Sequence, residues 1–490
     1  MRAWISLAAL LWRTAREPNV QPSRASARVA GRLQAAVLLA CASAACLACS
    51  FEPEYRRPRA PVPQRWPQGE AYAGIAADSG TRPLRWQDLF LHPGLKRVTE
   101  RALAHNRDLR VALANVQSAR AAYALARART FPSLGVSADA NLAGTRSSGV
   151  FLHEYGLMLG ASEFELDVFG RLRSLSHAAR ERYLASRAGA EAVRLSLISE
   201  TARAWLAICT ERNLLAIARQ TEESASASVD VTRSRFSGGV ASELDVRQAE
   251  TILAQARSDV AGYLTTAAQA ENALRLLAGT AVDESDVPDD FDASEAWIAQ
   301  IPAGLDSQML LLRPEVQEAE YALRAANANI GAARAAFFPR LSLTALGGFM
   351  SDSLASLLRL GSVGFRLQPN VSQPIFTGGA NQAVLESARA ERARSVAEYE
   401  RAIQRAFRDV ADALARRGTI EAQLLAQQQL VAAAEGSYKL AEARYRAGAD
   451  TYLNALDAQR TLYLARRSLV LSQRVRADNL VFLYRVLGAG

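Results

Sequence analysis

The stretch Ala333-Arg-Ala-Ala-Phe-Phe-Pro-Arg-Leu-Ser-Leu-Thr-Ala-Leu-Gly-Gly-Phe349 changes its period in the middle. Up to Phe338 it reads as the alanine-rich end of a helix. Pro339 cannot continue that helix and biases its predecessor toward extended backbone. Beyond it Leu341, Leu343, Ala345, Gly347 and Phe349 alternate with other residues at the period of a strand. The same design lies 207 residues upstream, where Ala126-Arg-Ala-Arg-Thr-Phe-Pro-Ser-Leu134 leads into a second alternation. There Leu134, Val136, Ala138, Ala140 and Leu142 face one way, and Ser133, Gly135, Ser137, Asp139 and Asn141 the other. The offset of 207 also places Asn106-Arg-Asp-Leu-Arg110 on Arg313-Pro-Glu-Val-Gln317, and an offset of 209 places Arg235-Phe-Ser-Gly-Gly239 on Arg444-Tyr-Arg-Ala-Gly448. A register held this far is a duplication. The first repeat is read as 93–279 and the second as 308–490, joined by an acidic linker over 280–307.

Each repeat then returns on a second strand. Tyr155, Leu157, Leu159 and Ala161 oppose Glu154, Gly156, Gly160 and Ser162; Val363, Phe365, Leu367 and Val371 oppose Gly364, Arg366, Gln368, Asn370 and Ser372. Strands of about ten residues with one apolar and one polar face suit a transmembrane barrel, lipid outside and water inside. Two such hairpins are too few to close one, since the smallest barrels have about eight strands, so several chains must share it. Proline-free helical segments follow, from Arg171 to Phe236 and from Gln382 to Tyr445. At 1.5 Å per residue each reaches on the order of 100 Å, too long for a compact domain. From Val246 onward, apolar or small residues at 246, 249, 253, 256, 260, 263, 267, 270, 274 and 277 form a coiled-coil seam. Gly238-Gly239 and Gly448 supply the turns between antiparallel helices.

The 490 residues are 50% hydrophobic but only 7% aromatic, which favours helix and excludes a disordered chain. The net charge of +9 shrinks to +4 once the first 48 residues, with six Arg and one Glu, are set aside, and no basic run interleaves with aromatics. Nucleic acid is therefore not an expected partner. Cys41, Cys46 and Cys49 lie together near the amino terminus and leave Cys209 alone, so neither a disulfide framework nor a four-ligand zinc site is expected. Residues 1–48 read as a signal peptide, with an upstream extension that points to a start codon placed too far forward. Cys49, followed by Ser50 and a proline-rich extended segment over 49–92, reads as a lipid-anchoring cysteine; Cys46 is the alternative.

Taken together these motifs resemble the TolC-like outer-membrane efflux proteins, in the lipoprotein (NodT-type) branch that partners resistance-nodulation-division pumps. The residues carrying the resemblance are Cys49-Ser-Phe-Glu-Pro-Glu-Tyr-Arg-Arg-Pro58 with Trp66, Glu165-Leu-Asp-Val-Phe-Gly-Arg-Leu172, Arg313-Pro-Glu-Val316, Arg324 to Pro339, Pro374-Ile-Phe-Thr-Gly-Gly379, and Arg444 to Gly448 with Leu456-Asp-Ala-Gln-Arg460. The resemblance implies a homotrimer in the outer membrane. Its α+β architecture would be a twelve-stranded β-barrel, four strands per chain, continued by a twelve-helix periplasmic α-barrel of long antiparallel coiled-coil hairpins. The implied function is a passive exit duct for small toxic compounds or drugs, with a periplasmic adaptor and an inner-membrane resistance-nodulation-division pump as partners. By the same resemblance Leu453, Asp457 and Arg460 close the periplasmic end: an apolar constriction, a carboxylate ring and a tie between neighbouring helices. Gly238, Gly239, Val240, Gly448 and Ala449 mark the hairpin tips where the adaptor docks.

Two other readings compete. The outer-membrane component of a type I protein secretion system shares the architecture, and an envelope coiled-coil scaffold would need only the heptads. The alternating strands and the duplication weigh against the scaffold. No enzyme is expected: His92, His105, His153 and His177 stand singly, and neither a phosphate-binding glycine loop nor a nucleophile elbow occurs. No cofactor or metal is implied.

Overall fold

A computed structural model describes residues 50–72, 85–144, 151–288, 297–299 and 307–487. Cys46, Cys49, the signal segment and much of the 280–307 linker lie outside the described residues. The chain divides into two units.

The sheet unit comprises Thr130–Ser174 and Gly331–Asn381 with Ser50, Phe51 and Glu52. It holds β1 (Leu134–Gly144), β2 (Phe151–Leu166), β3 (Arg340–Ser351) and β4 (Val363–Ser372), antiparallel in the order β1-β2-β3-β4. The register sets like on like: Val136 opposite Leu159, Leu159 opposite Gly347, and Gly347 opposite Phe365. A β-bulge between Ala161 and Phe164 interrupts β2, with Glu163 at φ 53 and its N–H donating to Thr344 Oγ1 at 3.0 Å. The extra residue flips the parity of the rest of the strand, so Phe164 and Leu166 fall opposite Leu343 and Leu341 and join the apolar face. The strand period alone does not disclose this. At the strand-to-helix corners, Gly170 (φ 70), Gly378 (φ 58) and Gly379 (φ 87) take left-handed backbone that a side chain disfavours.

The helical unit comprises Pro53–Arg129, Leu175–Ile330 and the chain from Gln382 onward. Its helices are α1 (Trp86–Leu89), α2 (Pro93–His105), α3 (Arg107–Ala128), α4 (Arg171–Ser237), α5 (Glu243–Ala278), α6 (Pro314–Ala335), α7 (Ala380–Arg446) and α8 (Tyr452–Val486). The first turn of α4 and the first residues of α7 are counted with the sheet unit. Helices α4 and α7 each run 67 residues. The predicted seam of α5 holds: Val246, Ala249, Leu253, Ala256 and Leu274 are buried and the other five positions half-buried. The seam drifts by one residue at its end, where Ala278 is fully buried, as a helix of 3.6 residues per turn drifts from a strict heptad. The main core gathers Trp205, Tyr399, Ile403, Val481 and Tyr484 with Leu89 and Phe90. Linker residues dock onto it: Asp286, almost wholly buried, accepts from Arg97 at 2.7 Å and pairs with Arg101 at 3.0 Å, while Trp297 packs edge-on against Trp205. Cys209 is buried in this core, which pushes its thiol up to about 12.

An extended strap, residues 53–72, lies against α6 and α7. Arg57 binds Glu320 through two hydrogen bonds of 3.0 and 2.9 Å, Arg324 adds one of 2.7 Å, and the Tyr55 hydroxyl adds one of 3.2 Å. Further along, Trp66 stacks on Phe407 at 5.0 Å. Burial alone would raise the Glu320 carboxyl, but the hydrogen bonds from Arg324 and Arg57 outweigh it and hold the group below its ordinary value. A carboxylate depressed on folding contributes stability that is present above its unfolded pKa and lost as pH falls through the folded one. We expect Glu320→Gln to lower stability by about 1–2 kcal/mol, less than for a fully buried pair because Arg57 is half-exposed. Thermal unfolding at neutral pH checks this, and limited trypsin cleavage within 53–72 should rise in the variant, and in the native chain on acidification.

Candidate functional site

Two features can form a channel, one in each unit. In the sheet unit the apolar face is exposed: Val136 by 70% and Phe365 by 83%, with Leu134, Leu142, Leu159, Leu367 and Val371 similar. A contiguous band of this kind is stable only where the solvent is itself apolar. The other face carries Ser137, Asp139, Asn141, Glu154, Thr344, Arg366, Gln368 and Asn370, with Arg366 bonded to Glu154 at 3.2 Å. Among the described side chains three apolar ones interrupt it, each opposite a glycine that leaves it room: Met158 opposite Gly348, Leu346 opposite Gly160 and Met350 opposite Gly156. The sequence reading had not singled these out.

In the helical unit the candidate residues lie at the ends of the α4/α5 and α7/α8 hairpins. The first turn is closed by Gly239 N–H to Phe236 O at 2.9 Å and Val240 N–H to Arg235 O at 2.8 Å, with Gly239 at φ 76. Ser242 and Asp245 then form a reciprocal cap that starts α5. The second turn repeats this design through Gly448 N–H to Tyr445 O at 3.0 Å and Ala449 N–H to Arg444 O at 2.9 Å, with Gly448 at φ 72. Asp450 accepts from the Thr451 N–H at 2.8 Å, from Asn454 at 2.7 Å and from Arg444 at 3.1 Å. Those bonds, led by the Thr451 amide, hold its carboxyl below the usual range. The ordering that Asp450 gives this turn is therefore complete at neutral pH and is lost as pH falls through that lowered value.

Leu453, Asp457 and Arg460 lie on one face of α8. Leu453 is 54% exposed, and Arg460 donates to Asp457 on its own helix at 2.7 Å. The opposite face buries Tyr452, Ala455, Gln459 and Leu462. The three predicted residues are thus displayed together and engaged by no other helix of the chain that the described contacts show. At the first tip Val240 is 80% exposed, with Phe236 and Leu244 beside it.

The tie between the two tips escaped the sequence reading. Arg235 donates to the carbonyls of Tyr445 and Arg446, both at 3.0 Å, and its guanidinium lies 4.3 Å from the centre of the Tyr445 ring. The recurrence of Arg235 as Arg444 was the available signal, but the two copies differ in use: Arg444 bonds Asp450 within its own turn. Deeper in the bundle, Asp259 accepts from Tyr463 while Arg467 lies over the rings of Tyr263 and Tyr463.

A sheet apolar on one face and polar on the other, in a chain with paired helical hairpins, defines a β-barrel channel protein of the outer membrane. The family model for outer membrane efflux proteins matches residues 98–280 and 305–489. The chain is 40% identical over 450 residues, 90% of its length and 93% of the relative's, to the toluene efflux pump outer membrane protein TtgC of Pseudomonas putida. It is 38% identical over 451 residues, 92% and 98% of the two lengths, to the cation efflux system protein CusC of Escherichia coli. The solved open state of the Neisseria gonorrhoeae MtrE outer membrane channel superposes with a TM-score of 0.76 at 34% identity, over 90% of this chain and 98% of that one. The chain belongs to the outer membrane efflux protein family. It is the outer-membrane channel of an efflux pump, a trimer with twelve barrel strands, four from each chain, and it extends into the periplasm. A channel is not an enzyme class.

Arg235→Ala removes both carbonyl contacts and the ring contact between the tips. We expect amide hydrogen exchange at Phe236–Ser242 and at Tyr445–Asp450 to accelerate about tenfold, equivalent to about 1.4 kcal/mol, with exchange in the Trp205 core unchanged.

Proposed function

We propose that the trimer is a passive, gated exit duct for small toxic solutes. An inner-membrane pump of the resistance-nodulation-division type would deliver them through a periplasmic adaptor. The duct performs no catalysis; the energy is the pump's. The relatives named for toluene and for cation efflux support small solutes as cargo. The lipoprotein-like start supports an anchor in the outer membrane through an acyl chain on Cys49.

The observation that carries the gate is the common face of Leu453, Asp457 and Arg460, exposed in the single chain and next to the second turn. Three copies of Asp457 brought to a threefold axis make a ring of carboxylates that attracts cations and repels anions, with Leu453 a narrow apolar ring beside it. Arg460 neutralises part of that ring from the same helix. The turns at Gly238, Gly239, Val240, Gly448 and Ala449 are the surfaces offered to the adaptor, and the apolar trio Phe236, Val240 and Leu244 suits a partner helix packed on them. The two repeats, 93–279 and 308–490, each supply one hairpin of strands and one of helices.

Single-channel conductance in a planar lipid bilayer tests this reading. The native trimer is expected to show a small, stable conductance and Asp457→Ala a larger one with weaker cation preference. Equal conductance would remove Asp457 from the gate, and silence from a correctly folded trimer would remove the pore. In cells, deletion should raise sensitivity to solvents and drugs and leave secreted protein unchanged; the opposite result would favour type I secretion.

A further inference from the structure

The connection between β3 and β4, Asp352-Ser-Leu-Ala-Ser-Leu-Leu-Arg-Leu-Gly-Ser362, is too apolar for a turn in water: four of its eleven residues are leucine. Leu354 is 68% exposed, Leu358 71% and Leu360 93%, while Leu357 is half-buried. Serines hold the loop in shape. The Ser353 N–H donates to Ser351 Oγ at 3.2 Å, the Ser351 and Ser356 hydroxyls bond each other, and the Ser362 hydroxyl donates to the Ser356 carbonyl at 2.7 Å. Two short 3-10 turns, Leu354–Ser356 and Leu360–Ser362, are fixed by these bonds.

The same bonds set the side of the sheet to which the loop leans. Ser351 stands opposite Tyr155, in the alternation that puts Leu343, Ala345, Gly347 and Phe349 on the apolar face. Its hydroxyl, on which Ser353 and Ser356 converge, therefore draws the loop toward that face. Beyond the loop Val363 and Phe365 resume the face, both exposed, so the leucines continue the lipid-facing band. Tyr155 is the one tyrosine of the four strands, and it lies at the level where aromatic girdles of such barrels meet the headgroups. The strands alone are short for the task. From Leu341 to Phe349, at about 3.4 Å per residue and a tilt of about 40°, the apolar face spans about 21 Å, against about 25 Å for a barrel's band. Helices α4 and α7 follow the opposite ends of β2 and β4, so the leucine loop lies at the rim away from the periplasm.

We propose that the β3–β4 connection is a lipid contact. Leu354, Leu358 and Leu360 sit at the boundary of headgroups and acyl chains in the outer leaflet, and Arg359 takes a lipid phosphate. Arg359 stands between two of these leucines, is exposed, and its guanidinium has no partner among the described residues. An arginine whose stem lies along apolar surface keeps its head at the interface, where its fork binds a phosphate through two N–H groups. Continuity with a face that lipid already covers favours lipid over a protein partner. A loop folded over the lumen would have to leave the Ser351 hydroxyl and hold three leucines over water.

Quenching by depth tests this in the full trimer reconstituted into phospholipid vesicles. Leu358→Cys, Leu360→Cys and Asp352→Cys each carry an environment-sensitive fluorophore. Phe365→Cys, on the band, sets the scale for lipid contact, and the chain without an added cysteine is the blank, Cys209 being buried. The labels at positions 358 and 360 should be quenched about threefold more by a lipid spin-labelled near its carbonyls than by iodide on both sides of the membrane, and the label at 352 the reverse. Stronger quenching by iodide at 358 and 360 places the loop in water, and protection from both quenchers places it against protein; either overturns the proposal. A second measurement uses no label. Native mass measurement of trimer released from vesicles containing lipid A, a doubly phosphorylated glycolipid, should find about fivefold less of it on Arg359→Gln than on the native protein. Equal amounts overturn the phosphate contact.

Discussion

A sheet of four strands with two open edges and one apolar face cannot exist alone in either solvent available to it. In water the face is a large exposed apolar patch; in lipid the edge amides and carbonyls have nothing to bond, at a cost of several kcal/mol each. Only closure removes both penalties, and four strands cannot close on themselves. Association of copies is therefore a condition of folding for the sheet unit. The helical unit, by contrast, gathers a core around Trp205 and Tyr399 within one chain.

The same contrast supports the proposed position of the gate. Around Trp205 the helices are held by large buried side chains, by linker residues docked on them and by the strap. Toward the tips the buried side chains are smaller, as in the cluster of Ala225, Val229, Ala249, Leu253 and Tyr452. The ties there include Arg235 on the carbonyls of Tyr445 and Arg446, Gln459 donating to Ser224 Oγ at 3.0 Å, and exposed ion pairs such as Arg233 with Glu250. Exposed pairs contribute little and are screened by salt, so the ends of the hairpins are the least costly part of the bundle to rearrange. The proposed gate would thus lie where movement disturbs little buried surface.

Much of this was legible because the dominant signals are periodic. The change of period at Phe131-Pro132 and Phe338-Pro339 located the strands, and the heptad of α5 located its buried face. The gate role of Leu453, Asp457 and Arg460 rests on the resemblance; the structure adds that the three share one face of α8. What period cannot show is a single inserted residue with no compositional mark, and the bulge at Glu163 is one: it moved Phe164 and Leu166 to the other face. Long-range polar contacts were equally hidden. Nothing in the neighbourhood of Asp286 distinguishes a buried acceptor for two arginines from the solvated acids around it, and Glu320 declares its role only once the strap lies beside it.

Divergence between the repeats records that third element. The strap docks on the second repeat, where α6 offers Glu320 to Arg57, Asn327 to the Pro53 carbonyl at 2.7 Å, and at Gly331 a backbone so close to Glu52 that a Cβ would lie 2.8 Å from its Cα. At the matching positions of the first repeat stand Leu113, Arg120 and Ala124 on α3: Leu113 cannot accept from an arginine, and Ala124 carries the Cβ that the close approach at Gly331 excludes. The glycine, the buried acid and the amide were kept or acquired where a segment crosses, and the apolar Leu113, half-exposed in the single chain, stands where none does. A duplicated chain that closes as a trimer presents six nearly equivalent positions, and a strap present once per chain makes three of them different from the other three.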